Sequence, residues 1–375
     1  MERVPELKKI LDDPYRYAKE WKLEHGQRVI GIFLPDVPEE LIDASGSFPL
    51  TLLGNKRVSG MSDYIPSFAC SLITTTFNQV SLKELEFLDG MVIPYFCDSS
   101  RALFHIWERN FPGQFSDLIR LPKKLESKGT KTYLVNELKR FKKHLEDSFG
   151  IPISSDALWR SIGIYNENRQ YLKGIKALRS QDPKRLSNFG FFSLVKSSMQ
   201  MSKEENNKIL REVLGLMESS LHQSDPSPII KVFISGQLAE PLEIFQWMDD
   251  MGIVVVDDDL AVGSRYFSYL VDREGDPLHA LGESYFRRIP NALMRGSEDR
   301  LSYILRSVRE NGLNGVIFIH LKFCEPLVYD YPDLKKGLEG EGIPTLLLET
   351  ELHSFAVGQI QTRLQAFSEI IRSPG

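Results

Sequence analysis

Three cysteines, Cys70, Cys97 and Cys324, carry the most chemistry this chain has to offer. So small and odd a number cannot build a disulfide framework, but three thiolates are a sensible ligand set for one metal centre. Cys97 closes LDGMVIPYFC, an apolar run opened by Asp89-Gly90 and rich in Val, Ile, Tyr and Phe, which reads as a buried strand. Asp98, Ser99 and Ser100 then supply N-cap chemistry for a helix beginning near Arg101. Cys97 thus stands at the carboxyl end of a strand, where open α/β sheets hold ligands. The competing reading of any one of these residues is a small buried hydrophobe, a common fate of free cysteine. Two more stretches invite chemistry. DDDL (257–260) offers carboxylates to a divalent cation, or is a solvated loop. GSRYF (263–267) offers turn N–H groups and the Arg265 guanidinium to an anion, or Arg265 makes a surface salt bridge.

The elements that must position these residues follow from hydrophobic periodicity. RVIGIFL (28–34), FPLTLLG (48–54), FLDGMVIPYF (87–96) and DLIRLP (117–122) read as strands. Amphipathic segments alternate with them, including a helix around 66–80 and a long one from Thr130 to Phe149, which is the pattern of a parallel sheet covered on both faces. From Ile151 to about Leu221 the pattern is helical, charged and without a strand candidate, and HQSDPSPI (222–229) reads as a linker. Strands return as KVFISG (231–236), GIVVVDDD (252–259), NGVIFIHLKF (314–323) and PTLLLET (344–350). The expected architecture is therefore α/β: two similar Rossmann-like domains with four-stranded parallel sheets, residues 1–150 and 228–375, separated by an inserted helical domain and linker, 151–227. The halves resemble a diverged duplication, since DGMVIPYFCD (89–98) and NGVIFIHLKFCE (314–325) both run from an amide or acid plus Gly to Cys plus an acid. Such halves facing across a cleft would bring Cys97 and Cys324 together, and a helix after the preceding strand would deliver Cys70.

The bulk composition narrows the classes. The chain has 375 residues, 42% hydrophobic and 26% charged, with a formal net charge of −5. That balance calls for neither nucleic acid nor an anionic membrane. The first residues, MERVPELKKILDDPYRYAKEW, lack the apolar core of a signal peptide, and no apolar run approaches a membrane span, so a cytoplasmic location is expected. The chain has no GxSxG, GxxxxGK[ST], HExxH or CxxC, and no GxGxxG after a strand, and its seven histidines are scattered. Serine hydrolase, P-loop, zincin, thioredoxin and dinucleotide readings all lack their mechanical parts.

Taken together, VPEELIDASGSFPLTLLG, DYIPSFACS, FLDGMVIPYFCDSSRALFHIW, IYNENR, DDDLAVGSRYF, GVIFIHLKFCEPLVYDYPDLKKGLEGEGIPTLLLE and QIQTRLQAFSE resemble the 2-hydroxyacyl-CoA dehydratase and benzoyl-CoA reductase family, from about Arg28 to Arg372. The resemblance implies one [4Fe–4S] cluster per chain, held by Cys70, Cys97 and Cys324 with sulfurs within roughly 6–7 Å of one another and one iron left open. Three cysteines fit a single cubane, not a double one. The resemblance further implies a homologous second subunit, an ATP-dependent iron–sulfur activator that delivers one electron, and an acyl-CoA substrate. The reaction implied is loss of water from an (R)-2-hydroxyacyl-CoA through a ketyl radical, or reduction of an aromatic ring in the benzoyl-CoA reductase relatives. Asp98, Ser99 and Ser100 would tune the cluster, Glu39 or Glu40 would reach the thioester or move a proton, and Arg101 or Arg265 would meet CoA phosphates. Left open are whether this chain's cluster binds substrate or relays the electron, and the alternatives of a two-lobed binding protein with inert cysteines and a simple electron-transfer protein.

Overall fold

The computed structural model describes residues 5–54, 65–183, 185–219, 229–294, 296–352 and 356–372. Two helices, α1 (Pro5–Asp12) and α2 (Pro14–His25), lead into β1 (Arg28–Phe33), α3 (Glu39–Ala44), β2 (Ser47–Leu52), α4 (Ser71–Ser81), β3 (Gly90–Pro94), α5 (Asp98–Asn110), β4 (Phe115–Ile119) and α6 (Thr130–Phe149). Helices α7 (Ser155–Gln181), α8 (Asn188–Gln200) and α9 (Lys203–Ser219) follow. The chain continues through β5 (Ile230–Gly236), α10 (Glu243–Asp250), β6 (Ile253–Asp258), α11 (Ser264–Phe267), α12 (Pro277–Ser284), α13 (Ser297–Asn311), β7 (Gly315–Leu321), α14 (Glu325–Gly340), β8 (Thr345–Thr350) and α15 (Val357–Arg372). All eight expected strands form within a few residues of their expected bounds. The linker 222–229 lies outside the described residues apart from Ile229.

The strands make two wholly parallel four-stranded sheets, ordered β2-β1-β3-β4 and β6-β5-β7-β8. The two orders are the same, so each sheet reverses direction between its first and third strands. That reversal is where an open α/β sheet leaves a crevice beyond its strand ends. β2, β3 and β7 are buried along their whole length, as strands covered on both faces by crossover helices must be. β8 closes one edge and is half-exposed.

One apolar cluster runs from Leu7 to Phe367 and takes in both sheets and the three central helices, while a second gathers on the far face of the second sheet around Phe233, Ile304 and Phe318. Buried amides stitch the central helices together: Asn168 Nδ2 donates to Asn206 and Asn207, each at 2.8 Å. Asn166 ties α7 to the second half by exchanging hydrogen bonds with the backbone of Val271. Gly236 ends β5 opposite Ile319, and an added Cβ there would run into the Ile319 carbonyl oxygen, so glycine is what lets β5 and β7 pair to their ends. Among the described residues no helix is long and apolar enough to cross a membrane.

Candidate metal centre

Each cysteine is the N-cap of a helix: Cys70 of α4, Cys97 of α5 and Cys324 of α14. Cys97 follows Pro94, the end of β3, by three residues, and Cys324 follows Leu321, the end of β7, by three. The equivalence of the two strand ends is thus carried to the residue. The expected N-cap was the Asp98-Ser99-Ser100 run. Instead α5 starts at Asp98, and Ser100 reaches back: its Oγ accepts from the N–H groups of Cys97 (3.2 Å) and Phe96 (3.1 Å) and donates to the Cys97 carbonyl (2.8 Å). The Ser71 hydroxyl accepts from Leu352 N–H at 3.0 Å, which ties the start of α4 to the second half beyond β8.

The three cysteines line one cavity of about 50 Å³. Its other walls are apolar, among them Phe33, Leu72, Phe96, Leu293, Leu321 and Leu327, and among the described residues only Ser100 and Gln237 are polar besides the thiols. Among the described residues three non-glycine ones have positive φ, and two of them belong here: Leu34 (65°) lines the cavity and Phe323 (62°) precedes Cys324. Left-handed backbone at a bulky residue is strained, and such strain gathers at functional sites.

Burial pushes the Cys70 thiol up to about 11, opposed by the N–H of Ile73 and reinforced by Cys97. Burial likewise pushes Cys324 up to about 12, with Cys70 adding to the rise and Leu327 N–H and Arg265 opposing it. Helix N-termini ordinarily favour thiolates; here the apolar walls win, so a metal centre would have to displace these protons on binding. The mutual effects also place the sulfurs in each other's field. Lys123 adds a cation nearby: its Nζ donates to the Phe96 carbonyl at 2.6 Å, and burial lowers its pKa against the opposing effect of Cys97.

Among the described residues no three His, Cys, Asp or Glu side chains gather closely enough to hold a single metal ion. A four-iron cubane holds its thiolates much further apart, roughly 6–7 Å. Three soft donors at helix N-termini, around an apolar pocket, suit such a cluster in donor type and number.

The other expected site residues lie elsewhere. Arg101 is exposed on α5 and pairs with Asp98 at 3.3 Å. Glu39 and Glu40 are buried in a polar cluster with Asp36, Arg169, Arg265, Tyr266, Tyr269 and Arg288, around a space of only about 10 Å³. Lys203 (3.1 Å) and the Tyr266 hydroxyl (2.9 Å) engage Glu39. Burial raises the pKa of Glu40, but the Arg169 guanidinium beside it outweighs that and holds it below the usual carboxylate range. Arg265 is also buried, and donates from Nη2 to Gln237 Oε1 at 2.7 Å. Its turn binds an internal anion, since Ser264 N–H and Oγ both donate to Asp258 at 2.7 Å. The DDDL carboxylates are taken separately: Asp257 by Lys176 and Ser307, Asp258 by Ser264, Asp259 by Arg300 and Gly236 N–H. A saturated carboxylate is no open cation ligand, and the cation reading of that stretch falls. Sequence reasoning passed over Gln237 and Lys123. Gln237 directly follows a strand, as Leu34 does, and that position was the available signal.

Comparison with known proteins places the chain beside several enzyme subunits. The chain is 29% identical to the (R)-phenyllactyl-CoA dehydratase beta subunit of Clostridium sporogenes, covering 98% of each chain. It is 27% identical to the lactoyl-CoA dehydratase subunit beta of Anaerotignum propionicum, again over 98% of each. One of the benzoyl-CoA reductase subunits of Thauera aromatica is 27% identical over 96% of this chain and 95% of its own. Residues 36–371 match the family described as 2-hydroxyglutaryl-CoA dehydratase, D-component, and the chain belongs to that family.

Proposed function

We propose that this chain is the iron–sulfur subunit of an (R)-2-hydroxyacyl-CoA dehydratase. The observation that carries the reading is the meeting of Cys70, Cys97 and Cys324, each at a helix N-terminus, on one apolar cavity in a chain of this family. The fold would comprise two Rossmann-like domains, 1–150 and 228–375, around the helical segment 151–227. Bound there, a [4Fe–4S] cluster would supply one-electron chemistry at low potential. The three thiols would hold it, the walls would exclude water, and Ser100 would fix the backbone that presents Cys97.

Size favours a relay over a substrate site. Pockets for drug-sized ligands run to roughly 300–1,000 Å³, whereas the cavity at the cysteines is about 50 Å³ and the polar space beside Glu39 and Glu40 about 10 Å³, and the cavities of about 390 and 460 Å³ share no lining residue with the cysteine cavity. In this reading a homologous second subunit binds the acyl-CoA and an ATP-dependent activator delivers the electron. The substrate takes up one electron to become a ketyl radical, expels its 2-hydroxyl as hydroxide, loses a β-proton and gives the electron back. The net products are 2-enoyl-CoA and water. Glu39 and Glu40 then serve as buried ion-pair partners that brace α3 against α7 and α9, and exposed Arg101 is left to meet an anionic group on a partner. A benzoyl-CoA reductase-type ring reductase is the second reading, favoured by the likeness to the Thauera aromatica protein. The test is anaerobic assay of the protein with its partner subunit, activator, ATP and a panel of 2-hydroxyacyl-CoA esters and benzoyl-CoA. Dehydration that disappears in Cys97→Ala supports the reading. A competent complex that turns over unchanged with Cys97→Ala contradicts it.

A further inference from the structure

Gln237 stands immediately after β5, with its carbonyl accepting from Ala261 N–H at 2.8 Å, so its backbone is fixed at the strand end. Its side chain is 8% exposed and lines the cysteine cavity. Arg265 Nη2 donates to its Oε1 at 2.7 Å. A guanidinium has only donors, so the oxygen must face Arg265 and the NH₂ must face away from it. That Nε2 is buried and finds no acceptor among the described residues. Buried donors are rarely left unpaired, and one that is calls for a specific explanation. Gln237 shares the lining of one cavity with apolar side chains and the three cysteines.

We propose that Gln237 donates an N–H hydrogen bond to the iron–sulfur group held by Cys70, Cys97 and Cys324, with Arg265 as the residue that fixes the direction of that donor. The inference rests on the cluster reading above. Hydrogen bonds to cluster sulfurs set reduction potential, because reduction adds negative charge that the donor stabilises more strongly than the oxidised form. Gln237 is thus a positioning and tuning residue that raises the potential. The buried charge of Arg265 behind it acts in the same direction. The unpaired amide donor of a residue lining a mostly apolar cavity is then neither spare nor accidental.

The experiment compares parent, Gln237→Leu and Gln237→Glu in the full-length protein, purified anaerobically with any subunit that accompanies it. Iron and sulfide are counted, and the midpoint is read by redox titration of the electron paramagnetic resonance signal that Cys97→Ala removes. Both variants keep iron in this account. Gln237→Leu offers no donor and Gln237→Glu pairs with Arg265 while donating nothing, so each should disfavour the reduced form by about tenfold, a shift of ~59 mV to more negative potential for one electron. Iron-loaded variants with the parent midpoint would overturn the role of Gln237 and leave the cluster reading standing. Should Gln237→Leu lose its iron through misfolding, Gln237→Met, which keeps the chain length and charge but offers no N–H, decides in its place. An iron-free parent would instead sink the reading on which the inference rests.

Discussion

Replacing Ser100 with Ala tests whether the loop that presents Cys97 is held as described. Ser100 is 1% exposed, and its hydroxyl makes three short-range hydrogen bonds at 2.8–3.2 Å to the backbone of Phe96 and Cys97. Phe96 N–H keeps a second acceptor, the Pro94 carbonyl at 2.9 Å, so the deletion orphans chiefly the Cys97 N–H. An unsatisfied buried donor costs about 1–3 kcal/mol, and loss of a helix-capping hydroxyl about 0.5–2 kcal/mol. Both figures describe the same bond and are not summed, and the Cys97 N–H is only part-buried, which leaves about 1 kcal/mol. With a urea slope of ~2–3 kcal/mol per molar, the unfolding midpoint of the iron-free protein should fall by roughly 0.3–0.5 M with no change of slope. The iron-loaded protein should lose iron to a chelator several-fold faster, because one thiolate is no longer pre-positioned. Ser100→Thr keeps the hydroxyl and should restore most of both. A Ser100→Ala protein with the parent midpoint and the parent rate of iron loss would refute the assignment of Ser100 as the organiser of this loop.

Two further outcomes follow from the fold. Gly236→Ala would drive a Cβ into the Ile319 carbonyl and part β5 from β7; overpacking of this kind costs about 1–3 kcal/mol. Urea unfolding should register it, and an unchanged midpoint would mean that the strand ends are not closely paired. His320 is buried in β7, and burial, with Arg300 adding to it, holds its pKa down at about 3. A depressed folded-state pKa gives stability that is fully present above the unfolded value near 6.5 and drains away as pH falls toward about 3, by up to ~1.4 kcal/mol per pH unit. His320→Gln should flatten that acid limb in a series of unfolding curves, and an unaltered limb would show that His320 does not titrate as described.

Much of the fold was legible because parallel strands covered on both faces are continuous apolar runs, and GMVIP and GVIFIHL stand out in any window. The likeness of the two cysteine-bearing strands was readable for the same reason, and the common strand order gives that likeness a structural counterpart. Helix starts were less legible. Asp98, Ser99 and Ser100 have the composition of an N-cap, yet the cap is Cys97 and Ser100 acts from inside the first turn, a difference of backbone register that residue types do not encode. SEDRLSYILRSVREN was not singled out, although it forms all of α13, because its charge is high and its buried face narrow. Ion-pair partners were the least legible. Glu39 and Glu40 meet Lys203 and Arg169 from distant helices, and Arg265 meets Gln237, through packing that no local pattern announces.

The central claim is that Cys70, Cys97 and Cys324 hold one four-iron cluster. The most direct measurement is iron and acid-labile sulfide per chain in anaerobically purified protein, for the parent and for Cys70→Ala, Cys97→Ala and Cys324→Ala in turn, with unfolding curves alongside. The account predicts about four irons and four sulfides in the parent, with broad absorption near ~400 nm, and substantial loss of both in every single variant. An iron-free parent of full stability, or a variant that keeps the whole complement of iron and sulfide, would contradict it.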